Sequence, residues 1–201
     1  AQNEDVFLKS NFLTTKTILN AILGIANYSP RVIIPGSSAE YGAMSQIKGK
    51  IDEKVVSNPN SWYGFVKLMQ TNVALFYANQ GMDVVIGRIF NILGKGVPSD
   101  LCAGRFAEQI VLIEKGESGR VIDTHNLNPV RDFLDIEDVC SALLAIAEKG
   151  KSGEIYNICS GIGLSIRDLL AQLLQYAGIT DISINEKTGH GESISKSIGS
   201  N

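Results

Sequence analysis

Tyr63 and Lys67 lie four residues apart in the stretch Ser61-Trp62-Tyr63-Gly64-Phe65-Val66-Lys67. The stretch reads as the start of a helix, so both side chains share one helical face. A phenol beside a fixed ammonium can give and take a proton near neutral pH, because the positive charge favours the phenolate. Upstream, Gly36-Ser37-Ser38-Ala39-Glu40-Tyr41-Gly42 follows the apolar run Val32-Ile33-Ile34. Ser38, at the end of that run, can deliver a hydroxyl to the same place, with Ser37 as its rival. A serine, a tyrosine and a lysine so arranged interconvert a hydroxyl and a ketone when a hydride carrier lies alongside. Y-x-x-x-K alone is a common pattern. The serine-bearing strand before it and Arg88-Ile89-Phe90-Asn91 after it make the combination specific.

Helices and strands must hold these groups in register. Residues 5–27 carry Val6, Leu8, Phe12, Leu13, Ile18, Leu19, Ile22 and Leu23 at helical spacing, and the helix is expected to stop before Pro30. Residues 31–35 suit a strand buried in a parallel sheet. Residues 43–60 read as a loop. Ser61 is the expected N-cap of a helix over 62–80 that ends at Gly81, and 83–90 is the next strand. Beyond a glycine-containing loop at 94–104 come a helix at 105–115, a short strand at 119–123 and the segment 128–133. A helix at 135–148, a strand at 154–158 and an amphipathic helix opened by Ser165 and reaching Ala177 complete the pattern. Alternating strands and helices imply an α/β fold built on a parallel sheet.

The chain has 201 residues, enough for a substantial core; 44% are hydrophobic, 19% are charged and the net charge is −3. That balance offers no general affinity for nucleic acid, so an anionic ligand has to be held by local arginines and helix ends. Cys102, Cys140 and Cys159 are widely spaced and lack a C-x-x-C, which argues against a disulfide framework and a zinc site. His125 and His190 sit in no ligand-like cluster, so no metal is expected. No apolar run approaches the ~20 residues of a membrane span and no signal peptide opens the sequence. A cytoplasmic protein is expected.

The Ser37-Ser38, Tyr63-to-Lys67, Arg88-to-Asn91 and Arg131-Asp132-Phe133-Leu134-Asp135 segments together resemble the extended short-chain dehydrogenase/reductases, the nucleotide-sugar epimerases and dehydratases. The likeness runs from about residue 5 to about residue 178. It is closest to the GDP-mannose 4,6-dehydratases and GDP-6-deoxy-4-keto-mannose reductases, through Asn126-Leu127, Arg131-Asp132-Phe133 and Gly153-Glu154-Ile155-Tyr156-Asn157. The resemblance implies a Rossmann-like parallel sheet with a small C-terminal α/β substrate-binding portion. Residues 1–93 would then carry the reacting groups, and 94–201 would mainly hold the nucleotide sugar. It implies NAD or NADP as cofactor and a nucleotide-linked hexose as substrate. It also implies a homodimer through the helices matching 5–27 and 62–80.

By that resemblance Tyr63 is the acid/base at the sugar C4 oxygen, Ser38 hydrogen-bonds that oxygen, and Lys67 supports Tyr63 and bonds the nicotinamide ribose. Arg88 belongs to the cofactor side. Asn91, Arg105, Val121, Arg131 and Glu154 belong to the substrate, with Arg131 matching a diphosphate. Glu40 follows Ser38 by two residues, the spacing a dehydratase needs for a base at C5. On a strand that spacing puts both on one face, which a structural glutamate would satisfy equally. Here Glu40 runs straight into Tyr41, one residue short of the family's S-S-A-E-V-Y-G. Asp138 is expected to cap or brace its helix.

No G-x-x-G-x-x-G or G-x-G-x-x-G occurs near the start. The first helix resembles the family's fourth, so roughly eighty to ninety residues of βαβ units for the cofactor's adenosine half are expected outside this chain. A UDP-sugar 4-epimerase is the nearest enzymatic alternative. A non-catalytic protein that binds a nucleotide sugar or a partner is the alternative of another class.

Overall fold

The structure is a computed structural model and describes residues 4–43, 49–187 and 196–200. The first helix comprises α1 (Glu4–Phe7), a π-helical stretch Leu8–Leu13 and α2 (Thr14–Leu23). In the π turn the Thr14 backbone N–H reaches the Lys9 carbonyl five residues back, and the Thr14 hydroxyl donates to the same oxygen at 2.8 Å. This turn rotates the residues around Asn11 relative to an unbroken helix. The helix ends at Leu23, four residues before the expected end at 27, and Asn27 adopts a φ of 60° on the way to Pro30.

β1 (Val32–Ser37) lies parallel to β2 (Val84–Ile89), and β2 lies parallel to β6 (Ile155–Ile158). α3 (Trp62–Asn79) packs on this sheet with the first helix, around Leu19, Ile34, Ala74, Tyr77, Val84 and Ile86. Ser61 caps α3, its hydroxyl accepting from Gly64 N at 3.1 Å, and Gly81 follows with a φ of 92°. Both are the ends expected from the sequence. α5 (Ile136–Lys149) covers the other face of the sheet; Asp135 caps it, accepting from Glu137 N, so Asp138 is not the capping residue.

The second half departs from one continuous parallel sheet. β3 (Asn91–Leu93) pairs with β5 (Val130–Asp135), which pairs antiparallel with β7 (Gly163–Ser165) and parallel with β9 (Lys196–Ser197). β4 (Val121–Thr124) pairs with β8 (Ser183–Glu186). Of the segment 128–133, read from the sequence only as a motif, residues 130–133 are thus strand. β3, β7, β8 and β9 are too short, at two to four residues, to show a period. α4 (Cys102–Glu114) and α6 (Ile166–Tyr176) enclose a second core of Phe106, Ile110, Ile122, Leu127, Leu170 and Leu174.

Asp132 ties this half together. It is fully buried, and its carboxylate accepts from Ser160 N (2.8 Å), Ser160 Oγ (2.7 Å), Gly161 N (2.9 Å) and Gly199 N (3.1 Å). Four donors on one carboxylate offset its desolvation. They bring the ends of β6 and of the 196–200 segment onto β5.

Candidate active site

At the carboxyl end of β1 the chain turns sharply. Ser37 is the last strand residue, and Ser38–Tyr41 forms a single 3-10 turn. This corrects the strand reading of Ser38. In a 3-10 turn residues three apart superpose, so Glu40 pairs with Ser37 rather than sharing a face with Ser38. The Glu40 carboxylate accepts from Ser37 N at 2.8 Å, and the Ser37 hydroxyl accepts from Ala39 N at 3.2 Å, a capping box. With Ser37 occupied in the turn, Ser38 is the serine whose hydroxyl the turn does not employ.

α3 approaches this turn through Gly64. A Cβ on Gly64 would overlap the Ala39 carbonyl oxygen, so only glycine lets the helix come this near. Tyr63, the preceding residue, is thereby held beside the Ser38 turn. It is 38% exposed, with one side of its ring edge-on to Phe7 at 5.5 Å between centroids. Lys67, one turn on, is 5% exposed. Its ammonium donates to the Pro35 carbonyl oxygen at 2.5 Å, to Gln70 Oε1, and to Asn11 Oδ1 at 3.5 Å. Burial pushes Lys67 below the ordinary lysine range, with the Glu40 charge opposing. Buried Lys67 thus lies one helical turn from the accessible Tyr63, on a helix that meets the Ser38–Tyr41 turn at Gly64.

Glu40 and Arg88 do not join that group. Glu40 is fully buried, and its second oxygen accepts from Arg88 Nε at 2.8 Å. Arg88, expected at the cofactor, is 4% exposed, its guanidinium lying 4.7 Å over the Tyr41 ring. The Tyr41 hydroxyl in turn donates to Asn157 Oδ1 at 2.8 Å.

The residues expected at the substrate divide into three places. Asn91 lies on β3, where its amide donates to the Asp132 carbonyl oxygen at 2.8 Å. Arg105 on α4 and half-buried Arg131 on β5 each bear electrostatically on the Cys102 thiol at the first turn of α4. Arg105 also lines a cavity of about 150 Å³ with Gln109, Asp123, Thr124, His125 and Lys187. Val121 is 44% exposed on β4. Glu154 sits apart: it precedes β6, at the end of the sheet opposite to Ser38, beside Asp52, Glu53 and Lys54. Ligands of such sheets bind at the carboxyl ends of the strands.

Three polar residues around Lys67 were not expected at the site: Asn11, Gln70 and Thr15. Gln70 was detectable, being a glutamine three residues after Lys67 on the buried helix face of Val66, Ala74 and Tyr77. The π turn that aims Asn11 has no sequence period of its own. Among the described residues no group of His, Cys, Asp and Glu is arranged to hold a metal, and His190 lies outside them.

This frame has relatives. Residues 1–159 match the NAD dependent epimerase/dehydratase family. The chain belongs to that family. Over 173 residues it is 30% identical to GDP-6-deoxy-D-mannose reductase of Pseudomonas aeruginosa, covering 86% of this chain and 57% of that protein. Over 174 residues it is 26% identical to GDP-6-deoxy-D-talose 4-dehydrogenase of Aggregatibacter actinomycetemcomitans, covering 86% and 56%. The structure of RMD from Pseudomonas aeruginosa complexed with NADPH superposes with a TM-score of 0.88 and 28% identity, over 94% of this chain and 63% of that one. The dTDP-glucose 4,6-dehydratase of Bacillus anthracis in complex with NAD, at 21% identity and a TM-score of 0.83, shares the fold. This member of the epimerase/dehydratase family therefore has the Rossmann-like α/β fold expected from its sequence, and spans somewhat more than half the length of those relatives.

Proposed function

We propose that the protein acts in NAD(P)-dependent modification of a nucleotide-linked hexose at C4, as a GDP-4-keto-6-deoxymannose reductase-like enzyme. The observation that carries this reading is the accessible Tyr63 phenol, held beside the Ser38 turn by Gly64 and backed by the buried Lys67 ammonium. Family membership and the relatives that act on deoxyhexoses support it.

NAD(P)H, when bound, supplies the hydride to the C4 carbonyl carbon. Tyr63 gives its hydroxyl proton to the C4 oxygen as that carbon is reduced, so the ketone becomes a secondary alcohol. Ser38 donates a hydrogen bond to the same oxygen. Lys67 stabilises the phenolate left on Tyr63. Its third N–H, only loosely held by Asn11 at 3.5 Å, is the donor it can offer to the nicotinamide ribose. These residues fit the nicotinamide end of the cofactor. The described residues hold no strand, glycine-rich turn and helix in the G-x-G-x-x-G pattern for its pyrophosphate.

A reductase is favoured over a dehydratase because Glu40 has both carboxylate oxygens engaged inside the fold. A C5 base needs a free lone pair facing the sugar. Glu40 and Arg88 are assigned to bracing the turn. Arg131 and Arg105, with the N-terminus of α4, are assigned to the diphosphate, and Asn91 and Val121 to the nucleotide sugar. Glu154 is left out of the substrate site on its position. A homodimer through the first helix and α3 would cover their exposed apolar side chains. The test is turnover of a nucleotide-linked 4-keto sugar by a Tyr63→Phe variant of the whole enzyme.

A further inference from the structure

Lys67 has three N–H donors, and the acceptors around it are unequal. Pro35 offers a backbone carbonyl of β1, and Gln70 is the side-chain acceptor that the fold locks. Its side chain is buried, and while Oε1 faces the Lys67 ammonium, Nε2 donates to Thr15 Oγ1 on α2 at 2.8 Å. The amide can take only this orientation, because an ammonium donates and never accepts. Thr15 is buried as well, at 7% exposed. A buried amide costs stability unless both its ends are satisfied, and leucine would fill a similar volume on this face without that requirement. The glutamine therefore needs a reason, and the ammonium beside it supplies one.

We propose that Gln70 is a positioning residue for Lys67, its carbonyl oxygen holding the ammonium behind Tyr63 while the Thr15 hydroxyl keeps that oxygen from turning away. Tyr63, Lys67 and Gln70 fall at i, i+4 and i+7 of α3, one face of the helix. Among the described residues the groups facing Lys67 are few. Glu40, from the Ser38–Tyr41 turn, is already paired with Arg88, and Tyr63 is on its own helix. β1 contributes the Pro35 carbonyl, and the first helix contributes the neutral Asn11 and Thr15. Gln70 thus supplies a neutral acceptor, fixed from its far end, that favours the charged form of a buried lysine. The inference rests on the reading of Lys67 as part of the reaction.

The experiment is an NMR titration of the Lys67 side chain in whole protein labelled with 13C-lysine, comparing wild type with Gln70→Leu, Gln70→Glu and Thr15→Val. The Lys67 midpoint is expected to fall by about one pH unit in Gln70→Leu, the tenfold change of losing one hydrogen bond to a charged group. It is expected to rise in Gln70→Glu and to fall by less in Thr15→Val. A Lys67 midpoint unchanged in Gln70→Leu, with only the melting temperature altered, overturns the proposal and leaves Gln70 a packing residue. Should Gln70→Leu not fold, an unmoved midpoint in both Gln70→Glu and Thr15→Val overturns it equally. Turnover by Lys67→Met decides the functional reading separately. Full activity there removes Lys67 from the reaction, while the titration still reports whether Gln70 holds the ammonium.

Discussion

Arg88 Nε donates to Glu40 Oε2 at 2.8 Å, and the two side chains are 5% and 0% exposed. The pair ties the turn after β1 to β2, and Gly36 leaves room for it, since a Cβ there would stand 2.8 Å from Glu40 Oε1. Glu40→Gln keeps the size and an acceptor for Ser37 N but leaves the guanidinium without its counter-charge. Breaking a buried pair from one side costs about 3–5 kcal/mol, so urea unfolding should show a loss of that order. Wild-type stability combined with loss of C5 proton exchange would instead make Glu40 a reacting base.

Gly64 sets the distance between the Ser38 turn and Tyr63. Gly64→Ala forces a methyl group against the Ala39 backbone, an overpacking that costs roughly 1–3 kcal/mol. Turnover should fall with stability, because α3 must move away from the turn. Gly119→Ala, where nothing lies within 4 Å of the added carbon, should leave both unchanged. Equal behaviour of the two variants would refute the close approach.

Burial holds Lys67 below its ordinary value of 10.5. Between its folded and unfolded values the unfolded chain binds the extra proton, so this group makes stability rise with pH across that window. The penalty is full below the folded value and gone above about 10.5. Chemical unfolding of wild type and Lys67→Met at neutral pH and near pH 10 should therefore show wild type gaining relative to the variant as pH rises. A constant difference would mean that Lys67 is solvated.

Phe65 and Phe76 are 44% and 58% exposed and lie three helical turns apart on one face of α3, while Leu13 and Ile18 of the first helix are 41% and 51% exposed. Burying such a surface is worth about 25 cal/mol per Å², and a two-fold dimer is the commonest way to do so. Sedimentation of the whole protein should give a dimer that Phe76→Glu dissociates. A wild-type monomer at micromolar concentration would contradict the interface.

The parts of this molecule legible in the sequence are those fixed by local rules. The Ser61 cap, the Gly81 stop and the apolar runs expected as strands at 31–35 and 83–90, observed as β1 and β2, follow from capping and β-branched composition, and β2 is buried on both faces as expected. What was not legible depends on distant partners. The turn at Ser38 reads as a strand end until the Glu40–Ser37 capping box is seen, and the box is held by Arg88 from another strand. The short strands β3, β7, β8 and β9 exist only through their pairing. Asn11 reaches Lys67 because the first helix takes a π turn, a shift that leaves the apolar spacing almost unchanged.

The most direct test is the rate of NADPH oxidation by the whole enzyme with a GDP-linked 4-keto-6-deoxyhexose, wild type against Tyr63→Phe. The phenylalanine keeps the ring against Phe7 and removes only the transferable proton. Loss of a positioned acid lowers rates by about 10²–10⁴-fold, and a fall in kcat of that order, with the variant still folded, is the predicted result. Turnover by Tyr63→Phe equal to wild type would contradict the account at its centre.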